Sequence, residues 1–102
     1  MEERAWIEEL QKGSPKAFER LVDAFQKRVF NTCLNFVFDQ SDAEDLTQEV
    51  FVEVFRSIRG FEERSSLATW IYRISVSKSL ELIRSRKRKK RAGVLLSIFG
   101  MQ

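Results

Sequence analysis

The sequence predicts an all-α domain, a compact bundle of about three long helices preceded by a short N-terminal one. Three observations carry this. Apolar residues recur at three- and four-residue steps through most of the chain, the period of helices that bury one face. Strand-like alternation of apolar and polar residues is missing. One Pro and four Gly are spread through 102 residues that are 43% hydrophobic, so long helices are seldom interrupted and have apolar residues to bury. A chain of this length supports one hydrophobic core and one domain.

Residues 2–12 form a short, mostly polar helix stopped at Gly13. Ser14 is placed to cap the next helix and Pro15 to begin it: a capping hydroxyl satisfies a free backbone N–H, and the N–H that proline lacks has no partner in the first turn anyway. Phe18, Leu21, Val22, Phe25, Val29, Phe30, Cys33 and Phe36 form the apolar stripe of that helix. Phe38-Asp39-Gln40 reads as the connection. Ser41 and Glu44 have the spacing of a capping box, which sets a third helix starting at Ser41. Leu46, Val50, Val54 and Ile58 bury one side of it. Asp45, Gln48, Glu49 and Val52 share another, joined at the far end by Arg56, and Gly60 ends it. Phe61–Arg64 is a short charged loop, after which Ser65 or Ser66 caps the last helix. There Ile71, Ile74, Ser75 and Leu82 face the core, while Thr69, Arg73, Ser77 and Arg84 share a different face.

The net charge of +3 conceals an asymmetry. Residues 1–55 carry 6 Lys/Arg against 12 Asp/Glu, a net of −6; residues 56–102 carry 12 against 3, a net of +9. An acidic half and a basic half suit different partners. Seven of the eight residues from Arg84 to Arg91 are basic, following a helix whose first turns carry Trp70 and Tyr72. Aromatics at one end and dense positive charge at the other suit nucleic acid, since rings stack on exposed bases and cations neutralise phosphates. The tract could also be a solvated helix end, but seven neighbouring cations repel one another unless a polyanion lies near.

Other chemistries are excluded. There is no His, and the only Cys is Cys33, inside an apolar stretch where a thiol serves as core filler. An intrachain disulfide, a His/Cys metal cluster and any His-dependent triad are therefore ruled out. The acidic N-terminus shows no signal peptide, and the longest apolar run, Val94–Phe99, is interrupted by Ser97 and too short to span a bilayer. The expectation is a soluble, intracellular, cytoplasmic protein.

On spacing alone, Asp42–Phe55 is an amphipathic helix with a solvated acidic face. The same face also sets apolar Phe51, Val52 and Phe55 beside Asp45, Gln48 and Glu49, as in an interface where charge fixes orientation and apolar contact supplies affinity. Asp45-Leu46-x-Gln48-Glu49 followed by Val50-Phe51 resembles the core-binding helix of bacterial sigma factors. Phe61, and Ser65-Ser66-Leu67-Ala68-Thr69-Trp70-Ile71-Tyr72-Arg73-Ile74, resemble the promoter-melting and recognition regions of the extracytoplasmic-function (ECF) sigma factors. The likeness runs from about Ala17 to Arg91, with both motifs in the family's order and separation.

The resemblance implies a helical domain spanning residues 1–92 that docks on the clamp helices of the RNA polymerase β′ subunit and captures the unwound non-template strand of the −10 promoter element. It implies that Asp45, Gln48 and Glu49 meet basic residues of β′, flanked by Phe51 and Phe55. The loop of Phe61, Glu62, Glu63, Arg64, Ser65 and Ser66 would hold a flipped base. Thr69, Trp70, Arg73, Ser77, Lys78, Arg84, Arg86, Lys87 and Arg88 would contact neighbouring bases and phosphates, the tract adding affinity rather than sequence reading. Read from residue type alone, Trp70 and Phe61 serve equally as core packing. No bond chemistry and no cofactor are implied, because the polymerase carries the catalytic metal; an anti-sigma factor is a further expected partner and a membrane is not. Three positions depart from the family: Ser77 where Asn is frequent, Glu81 where Asp is, and Leu67 where Phe is. Residues 93–102 would open the linker to a second, −35-reading domain that the sequence does not contain, so the chain reads as the first part of a longer protein. Two other readings compete, a small helical DNA-binding regulator and a membrane-surface protein anchored through Arg84–Phe99.

Overall fold

Each of the three long helices starts where a side chain caps it. The computed structural model describes residues 2–100. Helices α1 (Glu2–Gln11), α2 (Pro15–Val37) and α3 (Gln40–Ser57), a single 3-10 turn (Ile58–Gly60) and helix α4 (Leu67–Ile98) follow in order, with no strand among the described residues. At the start of α2, Ser14 Oγ accepts from the Ala17 N–H at 3.2 Å, with Pro15 first in the helix. Gly13, at φ +85, makes the left-handed turn out of α1 that an L side chain would resist. At α4, Ser66 Oγ accepts from Thr69 N–H at 3.2 Å, which settles the choice between Ser65 and Ser66.

The capping box at Ser41 does not form. Asp39 caps α3, its extended backbone (φ −142, ψ 124) aiming a carboxylate oxygen at the Asp42 N–H, 2.8 Å away, while Gln40 and Ser41 lie inside the first turn. A carboxylate is the stronger acceptor beside the positive end of a helix. Phe38 has already closed α2 in a left-handed conformation (φ 54), its N–H donating to Leu34 O at 2.8 Å, so of the two residues between the helices only Asp39 is left to cap α3. Glu44 instead accepts from Gln40 Nε2 at 3.3 Å.

The core lies where α2, α3 and α4 meet, each packing on the other two. Leu21, Phe25, Val29 and Cys33 enter it from α2, Ala43, Leu46, Val50 and Val54 from α3, and Leu67 and Ile71 from α4. Ser75 and Ser79 are fully buried on α4. Their hydroxyls donate to Ile71 O at 2.9 Å and Ser75 O at 2.8 Å, so neither is left without a partner, and their small size lets the helices approach closely. Burial pushes the Cys33 thiol up from its ordinary range, more than its hydrogen bond with Ser79 lowers it.

Helix α1 packs on α2 and the 3-10 turn through Ile7 and Leu10. Trp6 Nε1–H donates to Ala17 O at 3.0 Å, and the Arg20 guanidinium sits 4.4 Å from the centre of the indole. At the other end of the chain, α4 runs on through Gly93 to Ile98, so most of the stretch expected to open a linker is helical. From Lys87 to Gly100 every residue is exposed, and this projecting rod gives the molecule its 61 × 24 × 22 Å dimensions.

Candidate functional site

Two surfaces collect the residues singled out from the sequence. The first is the outer face of α3. Asp45, Gln48 and Glu49 are exposed, and beside them Val52 and Phe55 are 48% and 59% exposed, as an interface of charged and apolar groups requires. Phe51 departs from the expectation. It is 7% exposed and belongs to the core, because its position on α3 turns it toward α2 rather than outward with Asp45 and Glu49.

Between α2 and α3 an apolar groove of about 800 Å³ opens next to this face. Phe18, Val22 and Phe30 line it from α2, Phe51 and Val52 from α3, and Lys27, Glu44 and Gln48 are polar members of its lining. Phe18 meets Phe55 edge to face, with ring centres 5.4 Å apart. The sequence reading assigned Phe18, Val22 and Phe30 to the core stripe, yet all three are only half-buried. The signal was the width of the stripe, which is more than two neighbouring helices cover.

Lys78 also joins the first surface. Its ammonium lies 3.8 Å from the Glu53 carboxylate, on the α3 side of α4, and not on the row of Arg73 and Ser77. Lys78 thus faces Glu53 on α3, about 100° around α4 from the row that holds Ser77.

The second surface is the junction of α3 with α4. Phe61 and Trp70 are both half-buried and stack on each other, ring centres 4.8 Å apart at an interplanar angle of 30°. Each covers one face of the other, and both pack against the core while keeping part of their surface exposed. Glu62, Glu63 and Arg64 are exposed and Ser65 is half-buried. Arg64 lies 3.1 Å from Glu62, and Glu63 holds a left-handed backbone (φ 58) with its carboxylate 4.0 Å from Arg4. Ser66 Oγ also donates to Thr69 Oγ1 at 3.1 Å, leaving Thr69 half-buried at the start of α4.

Along α4, Arg73, Ser77 and Arg84 line one shallow groove with Tyr72, Val76 and Leu80, the shared face expected from their spacing. Farther on, Lys87 and Arg88 are exposed with the rest of the tract. Arg86 is not free: its guanidinium lies 2.7 Å from the Asp42 carboxylate in the first turn of α3, tying the two helices together.

The sequence reading missed what lies behind the loop. Gln11 Nε2 donates to Ile58 O at 3.0 Å and to Phe61 O at 3.1 Å, and the Glu3 carboxylate accepts from the Leu67 N–H at 3.3 Å. Nothing in a short polar helix marks these side chains, because their partners are backbone groups tens of residues away. Among the described residues no cluster of three or more His, Cys, Asp or Glu could hold a metal ion, and no helix is long and apolar enough to cross a membrane.

Residues 21–89 match the Sigma-70 region 2 family. The chain is 31% identical over 83 residues to the RNA polymerase sigma-H factor of Pseudomonas aeruginosa, covering 81% of this chain and 43% of that protein. It is 33% identical over 87 residues to the ECF RNA polymerase sigma-E factor of Haemophilus influenzae, covering 85% of this chain and 46% of that protein. The chain thus spans less than half the length of these curated relatives. Among solved structures, an engineered region 2 of sigmaE, determined by NMR in complex with GTAAAA, superposes with a TM-score of 0.77 at 30% identity, covering 85% of this chain and 90% of that one. A four-helix fold, two motifs in order and a family match over most of the chain agree: the protein belongs to the Sigma-70 region 2 family and is a region-2 domain of the ECF sigma-factor type.

Proposed function

We propose that this domain docks on RNA polymerase core through the outer face of α3 and holds the unwound non-template strand of the −10 promoter element at the α3–α4 junction. The observation that carries the reading is that junction. The half-open Phe61–Trp70 pair stands at the head of a row formed by Arg73, Ser77 and Arg84, in a fold shared with a region 2 held with GTAAAA.

The chemistry is binding, without bond making. A base leaving the duplex loses its stacking, and an aromatic surface restores about 1–3 kcal/mol of it. The loop Phe61–Ser66 offers that surface together with backbone groups for the edge of the base, and Ser77 reaches a neighbouring base with one hydroxyl. Arg73 and Arg84 neutralise flanking phosphates. Because these contacts exist only with the open strand, they favour melting.

On the other face, Asp45, Gln48 and Glu49 meet basic residues of the β′ clamp helices while Val52 and Phe55 supply apolar contact. Phe51 acts from beneath, as the floor of the groove. An anti-sigma factor would compete for the same face, and the site of action is the cytoplasm, where polymerase works.

The test has two arms. Core polymerase or its β′ clamp fragment should retain the chain in a pull-down. Randomised hexanucleotides, with GTAAAA among them, should be enriched for a defined sequence. A chain that binds neither, or that takes all hexanucleotides equally, sinks the reading.

A further inference from the structure

Helix α1 ends directly behind the loop that joins the 3-10 turn to α4. The two hydrogens of the Gln11 amide reach Ile58 O and Phe61 O, at 3.0 and 3.1 Å. Ile58 O also accepts the Phe61 N–H at 3.1 Å, so Gln11 closes a turn that the backbone has half made. At the far end of the loop, the Glu3 carboxylate accepts from the first N–H of α4, on Leu67, at 3.3 Å. Between these points Arg4 lies 4.0 Å from Glu63, the loop residue with left-handed backbone. One ten-residue helix therefore holds the loop at its entrance, its middle and its exit.

From this we infer that Gln11 is a positioning residue that sets the base preference of the loop Phe61–Ser66 without touching nucleic acid, an inference that rests on reading this loop as a base pocket. The argument is one of preorganisation. A pocket discriminates between bases only if its hydrogen-bonding groups are fixed before the base arrives, because a loose loop adjusts to any of them. Phe61 supplies the ring stacked on Trp70, and its own carbonyl is one of the two that Gln11 holds. The amide therefore fixes the backbone on which the stacking surface is mounted. Gln11 is not itself a core residue. Ile7 and Leu10 supply the buried contacts of α1, and Gln11 is half-buried at their edge.

Gln11→Met keeps the length and apolar stem of the side chain and removes both donors. Gln11→Glu keeps the shape and sets a carboxylate against two carbonyl oxygens. In the full chain, both variants should melt within a few degrees of the wild type and bind oligo(dT) as the wild type does. Amide exchange across Phe61–Ser66 should quicken. The preference for the selected hexanucleotide over its scrambled form should fall about fivefold in Gln11→Met, the scale of one hydrogen bond although two are lost, because they act on the base only through the loop, and further in Gln11→Glu. Unchanged base selection overturns the inference, as does an equal loss of affinity for every sequence, which would mark Gln11 as merely structural. A wild-type chain that selects no sequence would instead sink the base-pocket reading, and loop exchange in Gln11→Met would then decide alone whether the brace exists.

Discussion

The basic tract divides into one structural arginine and a set of free cations, and this division can be measured. Arg86 and Asp42 form an ion pair at 2.7 Å with side chains 51% and 24% exposed. Two unit charges about 4 Å apart attract by about 1 kcal/mol in water and about 4 kcal/mol at the effective dielectric of a protein surface. Half-exposure of the arginine, screening and the entropy of two ordered side chains reduce the net to about 0.5–1 kcal/mol. For a domain of this size that is a loss of about 2–8 °C in melting temperature for Arg86→Ala. A double-mutant cycle with Asp42→Ala isolates the coupling, which should shrink in about 1 M salt, where the Debye length is near 3 Å. Lys87, Arg88, Lys89 and Lys90 should behave oppositely. Replacing any of them by Ala leaves the melt unchanged and flattens the salt dependence of single-strand affinity by up to about 0.7 log units for each phosphate no longer neutralised. If Arg86→Ala costs no stability and flattens the salt slope as much as Lys87→Ala does, the pairing and the division of the tract are both wrong.

Replacing Asp45 and Glu49 by Lys should abolish retention on the β′ clamp while changing stability by no more than about 0.5 kcal/mol, since both are exposed; a collapse of the melt would place them in the fold instead. Phe61→Ala should alter which hexanucleotide bases are selected and, by removing the stack on Trp70, cost about 0.5–1.5 kcal/mol beyond its share of burial, with clamp retention unaffected. Ser77→Asn should sharpen selection by about 1 kcal/mol at one base, read from competition among randomised oligonucleotides. For Cys33 the direction of the pH effect is set by its raised thiol. The unfolded chain loses this proton first, above its ordinary value of 9.0, so stability is full below that pH and falls as pH rises toward the folded value. A Cys33→Ala chain should lack that part of the alkaline loss, and parallel stability curves for the two chains would refute it.

The helices were legible because their signals are local. Ser14, Pro15 and Ser66 cap or begin helices as their types dictate, and Leu21, Phe25, Val29 and Cys33 do face the core. What escaped is non-local or competitive. Two acceptors, Asp39 and Ser41, stood two residues apart at the start of α3, and the left-handed turn at Phe38 decided between them. Phe51 and Val52 are neighbours in sequence, and only the presence of α2 buries one and leaves the other on the surface. The same holds for the site. The row of Arg73, Ser77 and Arg84 follows from helical spacing, whereas the pairing of Lys78 with Glu53, of Arg86 with Asp42 and of Gln11 with two carbonyls requires knowing which helices are adjacent.

The projecting end of α4 has a mechanical consequence. From Lys87 to Ile98 the helix has no buried residue, contains Gly93 and begins with five successive cations, so little besides its own backbone hydrogen bonds holds it. A segment of this kind depends on its own helix propensity, because no tertiary burial adds to it. As helix these residues cover about 18 Å, at 1.5 Å each; extended they cover about 40 Å. A change from one to the other would lengthen this segment by about 20 Å while α2, α3 and the first turns of α4 stay unchanged. Under the proposed reading the bundle is where the strand and the polymerase would be held, while the length of the rod depends on its own helix propensity.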